Sequence, residues 1–125
     1  MMTYPEVYGR LNFESAVLVF LKKNGDVRLM LGTRNMNTIR LDHGYQGKSL
    51  GGHDNRCNIG NGNIAIFDLI IGDARAFHID RLVSIEFHGV ISTKEELDNL
   101  IDYFADFKEN YEKNKPMTLG MEMLD

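Results

Sequence analysis

Residues Ser15 to Thr33 read SAVLVFLKKNGDVRLMLGT. Ser15–Lys22 is β-branched and aromatic, Asn24-Gly25-Asp26 supplies turn chemistry, and Val27–Thr33 resumes the apolar run at once. Two strand-like runs around Asn-Gly are the strongest short-range hairpin signal in a sequence. Val27, Leu29 and Leu31 alternate with Arg28 and Met30, so one face of the second strand is expected inward and the other partly wet.

Three more strands are expected downstream. Ile64–Ile71, apolar except for Asp68, reads as a third strand ended by the tight turn Gly72-Asp73. Ala74–Ile79 places Arg75, Phe77 and Ile79 on one side, and Val83–Phe87 alternates cleanly after a short turn at Asp80-Arg81-Leu82. Short strands at close spacing suggest an antiparallel sheet or small barrel. The period then changes. Ser92/Glu95 and Thr93/Glu96 form two overlapping capping boxes. Leu97, Leu100, Ile101, Phe104, Phe107 and Tyr111 follow at helical spacing as one apolar stripe. This helix, residues 93–115, should end near Asn114, because Pro116 restricts the residue before it. Residues 1–13 read as an arm and 116–125 as a tail, leaving 14–92 as the β domain.

Between the second and third strands lies a polar stretch, residues 34–63, holding half of the 12 glycines. Structureless connections beyond about 12–15 residues are uncommon in compact domains and are usually functional or disordered. This loop is the expected binding element. Arg34, Arg40, Lys48 and Arg56 face only Asp42 and Asp54 there, while the whole chain carries −4. A mildly cationic loop on an acidic body argues against general DNA coating, which needs many phosphates neutralised, and leaves room for one local anion site.

At 125 residues, with 43% hydrophobic and 26% charged residues, the chain fits one folded domain. No stretch approaches the ~18–20 apolar residues of a membrane span, and the start lacks a secretory pattern. Cys57 is the single cysteine, so a reducing cytoplasm is the expected setting.

Three segments carry a resemblance. Phe20–Asn35 resembles the opening hairpin of a family of small phage and bacterial proteins described as WYL-like, with an Sm-like SH3 β-barrel fold. Ile64–Leu69 and Arg75–Ile85 resemble that family's two later motifs, the second being the more specific. The resemblance spans about residues 16–87. It implies a five-stranded barrel, a phage origin and no enzymatic chemistry, in a family whose longer relatives are regulatory ligand-sensing modules often linked to nucleic acid. The loop is longer than that pattern.

The chemistry-bearing residues narrow the function further. His43, His53, Asp42, Asp54 and Cys57 are zinc-ligand types, but their spacing fits no standard site, so no metal is expected. Cys57 lacks the local motif of a catalytic cysteine. Gly44–Ser49 ends Gly-Lys-Ser like a phosphate loop, yet Asp42 stands where its first glycine belongs and no helical pattern follows. A looser anion nest remains, with Lys48 and Arg56 as cations and Tyr45 stacking on a base. Arg75 and Arg81 flank Phe77 and are further candidates for an anion or for local ion pairs. The expectation is a non-enzymatic accessory protein without cofactor. It would bind a nucleic acid or nucleotide-like anion through Arg34, Arg40, Tyr45, Lys48, Arg56, Arg75 and Arg81. The alternative is a module that inhibits or redirects a host protein through the acidic helix face of Glu95, Asp98, Asp102, Asp106 and Glu109. Self-association through the apolar helix stripe is a further expectation.

Overall fold

The computed structural model describes residues 2–42, 47 and 49–124, with side chains through Lys113. The fold is mainly β: a five-stranded antiparallel sheet joined by a C-terminal helix. Strands β1 (Ser15–Leu21) and β2 (Val27–Thr33) form the expected hairpin, in register from Ser15↔Thr33 to Leu21↔Val27. Strands β3 (Asn63–Asp68), β4 (Asp73–His78) and β5 (Leu82–Phe87) complete the order β4-β3-β2-β1-β5. A single 3₁₀ turn, Ile79–Arg81, links β4 to β5. No ladder joins those two end strands among the described residues.

Both faces of the sheet are covered, because alternate residues of β1 and β2 enter two different cores. Val17, Leu31, Ala65 and Phe67 pack under the C-terminal helix α4 (Lys94–Leu124), against Leu97, Leu100 and Phe104. Leu18, Phe20, Met30, Ile64, Ile66 and Phe77 pack on the other face. Leu82, Ile85 and Phe87 join this second cluster, so side chains from both end strands meet in it. The Phe20 and Phe77 rings lie 5.8 Å apart. Met30 is therefore buried, and the second face of β2 is wet only toward Arg28, contrary to the alternation read from the sequence.

Gly32 shows how tightly β2 and β3 approach. A Cβ there would fall 2.5 Å from Ile66 Cδ1, so only glycine fits while the core keeps its packing. The β2–β3 ladder itself is short, Gly32↔Asp68 and Thr33↔Phe67.

Four expectations need correction. The N-terminal arm is a helix, α1 (Tyr4–Leu11). Thr3 caps it, Pro5 sits in its first turn, and Val7 and Leu11 are buried in the second core. The third strand stops at Asp68, not Ile71, because the Asp68 carboxylate accepts the N–H groups of Ile70 (2.9 Å) and Ile71 (3.0 Å) and turns the chain. The 34–63 segment is not structureless. It holds two short helices, α2 (Met36–Ile39) and α3 (Gly52–Arg56), and sends Ile39 and Leu50 into the first core. Asn35 caps α2, and Thr38 Oγ1 donates to the Ile91 carbonyl at 2.7 Å. Finally, α4 continues past Asn114 to Leu124. Pro116 removes one backbone donor, but about six turns already precede it, and propagation is far easier than nucleation. Of the two capping boxes at its start, Thr93/Glu96 is the one formed: the Glu96 N–H donates to Thr93 Oγ1 at 3.1 Å.

Candidate functional site

The loop cations have separate fates. Arg34 is a structural residue: its side chain is 7% exposed. Its Nε–H donates to Asn12 Oδ1 (2.9 Å), one terminal nitrogen to the Ala65 carbonyl (2.6 Å) and Asp54 (3.1 Å), and the other to the Tyr8 hydroxyl (3.0 Å). The guanidinium also lies 4.3 Å from the Tyr8 ring centroid. Arg34 thus ties α1, α3 and β3 together, with four of its five N–H groups committed within the protein, a structural position rather than the loop-surface one expected of a binding residue. Arg40 is exposed and donates to the Gly47 carbonyl at 3.3 Å. Arg56 is exposed. Tyr45, Lys48 and His43 lie outside the described residues.

Cys57 is half-buried beside this hub. Burial, then the nearby Asp54 charge, pushes its thiol upward, against thiolate chemistry. Among the described residues no group of three or more His, Cys, Asp or Glu could hold a metal ion.

Arg75 and Arg81 instead come together with cations the sequence reading passed over. A groove of about 400 Å³ runs between the tip of the β1–β2 hairpin and β4. Its floor includes Phe20, Met30 and Phe77, and its rim carries Lys22, Lys23, Arg28, Arg75, His78 and Arg81. No Asp or Glu is among the lining residues. The fold explains the convergence. The hairpin pairs Phe20 with Arg28, which sets the two lysines of the turn next to the start of β2. Phe77 packs on Phe20 and carries its neighbours in β4 to the same place.

The rim charges differ in their commitments. Arg28 reaches Asp68 at 3.3 Å, and Asp68 is nearly buried. Arg75 meets Asp73 only at 3.6 Å, and its buried Nε–H has no hydrogen-bond acceptor in the protein. Lys22, Lys23 and Arg81 are exposed and make no ion pair among the described residues. His78 Nδ1 accepts the Asp80 N–H at 3.1 Å, so Nε2 carries the proton of the neutral ring. Five formal cations thus line one recess of a chain of net charge −4, two of them (Arg28 and Arg75) paired with Asp68 and Asp73.

A second polar cluster clasps α4 to β5. Glu86 accepts from the Tyr103 hydroxyl and pairs with His88 Nε2 at 2.6 Å, and the His88 and Tyr103 rings are 4.7 Å apart. The Tyr103 hydrogen bond, then that to His88, holds the Glu86 carboxyl below its usual range, against the upward push of burial. The same bond to Glu86 raises the Tyr103 phenol.

No family model matches this chain, and neither does any curated protein or solved structure. The groove therefore stands on its own geometry.

Proposed function

We propose that this protein is a non-enzymatic binding module for a phosphate-bearing anion, nucleic acid or nucleotide in type, and that the hairpin-β4 groove is its site. The observation that carries this reading is the groove's composition: five cations and a histidine without a carboxylate among the lining residues. Phosphate neutralisation by Lys and Arg is the main source of affinity for nucleic acid. The loop cations Arg40 and Arg56 remain outside this site.

The strand order, the 3₁₀ link between β4 and β5, and the side chains of all five strands in one cluster support a small SH3/Sm-like barrel. On the WYL-like resemblance, the role proposed for such a barrel is that of a phage accessory protein. The alternative, capture of a host protein by the acidic helix face, has less behind it. Asp98 is held by Lys94 at 2.7 Å and Glu109 by Lys113 at 3.1 Å, the pattern of a solvated helix face.

The test is fluorescence anisotropy with a labelled 20-nucleotide oligomer at 50 mM salt, comparing wild type with Lys23→Ala/Arg81→Ala. Both residues are exposed, so the fold should be unaffected. At least tenfold weaker binding by the variant supports the assignment. Equal binding by both proteins, or none by wild type, overturns it.

A further inference from the structure

The groove does not end at β4. A second hollow of about 490 Å³ adjoins it and shares Lys22, Arg28, Met30 and Arg75 with it. Its far wall is α4, where Lys108 and Glu112 line it. Cations thus succeed one another from Arg81, past the hairpin lysines and Arg75, to Lys108. Asp68, the other acid of the second hollow, is already paired with Arg28.

The aromatic rings along this path are closed off. Phe20 is 5% exposed, Phe77 3% and Phe104 6%. Stacking on open rings adds to affinity at many single-strand sites, and these three rings offer none, which leaves the sugar-phosphate backbone to carry the contact. What the path does offer is charge, at intervals, over two joined recesses.

Resting on the function proposed above, we infer that the ligand is a single nucleic-acid strand held by its sugar-phosphate backbone without base selectivity. The strand crosses from the hairpin groove over Arg28 and Arg75 to Lys108 on α4. A mononucleotide would occupy one recess only. A duplex is too stiff and broad to follow two joined recesses of this size, whereas a single strand bends into them.

Binding of dT and dA 20-mers, a duplex of equal length and ATP as competitor tests this, each measured between 50 and 200 mM salt. Five cations on the path, Lys22, Lys23, Arg81 and Lys108 together with Arg75, whose Asp73 contact is long at 3.6 Å, give a slope of log K against log salt of about −3.5, or about 100-fold loss over that range. The two single strands should agree within about threefold, with the duplex and ATP much weaker. Lys108→Ala, at an exposed position, should weaken binding about three- to fivefold and flatten the slope by about 0.7. Unchanged binding by Lys108→Ala, a base preference above about tenfold, or ATP or duplex binding as tightly as the strand overturns the inference while leaving an anion site in place. Failure of every polyanion to bind overturns both readings.

Discussion

Arg34→Ala removes the bond network that fixes the 34–63 segment to the rest of the protein. The β2–β3 ladder stops at Thr33↔Phe67, and the Arg34 guanidinium supplies the donor to the Ala65 carbonyl beyond that point. Ala65 is fully buried, so losing this donor costs about 1–3 kcal/mol. The lost contact with the Tyr8 ring adds about 0.5–1 kcal/mol. Asp54 loses its partner too, but its side chain is 32% exposed and water replaces much of that bond. The sum is about 3 kcal/mol. For a domain of this size that lowers Tm by about 10–15 °C. Arg34→Lys keeps the charge but not the fork of donors, and should recover less than half. Urea denaturation followed by circular dichroism gives all three stabilities. A loss below 1 kcal/mol for Arg34→Ala refutes the structural role and returns Arg34 to the ligand-binding residues.

Further outcomes follow from the same geometry. Gly62 has φ +73°, and a Cβ there would lie 2.6 Å from His78 Nε2. Gly62→Ala should therefore cost about 1–3 kcal/mol in urea denaturation, part of it recovered when His78→Ala is added. Asp68→Ala leaves two turn N–H groups and Arg28 without their acceptor, and should cost about 2–4 kcal/mol in the same assay, far more than Asp73→Ala at its exposed position. Glu86 is depressed in the folded state, so its contribution is complete above the ordinary carboxylate range and disappears as pH falls through its lowered value. NMR titration of its carboxyl should show it moving back up toward the ordinary range in Tyr103→Phe; an unmoved titration would contradict the clasp.

The hairpin was legible because its signal is local: the Asn-Gly turn sets its own register, and Ser15↔Thr33 follows. The helix was legible for the same reason, with Leu97, Leu100 and Phe104 on one stripe and Thr93 as cap. Helix α1 was readable in principle from Thr3, Pro5, Glu6 and the Val7/Leu11 spacing, but eight residues among aromatics give little periodicity. The site was harder. Arg34 sits in a glycine-rich polar stretch, and no local pattern tells an arginine that binds a ligand from one that completes a sheet edge. Lys22 reads as the end of the first strand, and Lys23 as the residue before the Asn24-Gly25-Asp26 turn. Their meaning depends on Phe20 meeting Phe77, a pairing 57 residues apart that brings β4 over the hairpin tip.

The most direct measurement is an amide chemical-shift titration of the ¹⁵N-labelled protein with an unlabelled dT oligomer at low salt. The account predicts that the largest shifts fall at residues 20–30 and 75–81, with Lys108 following, and that Arg34 and its neighbours stay still. Shifts centred on residues 36–62, or on the acidic face of α4, would contradict it.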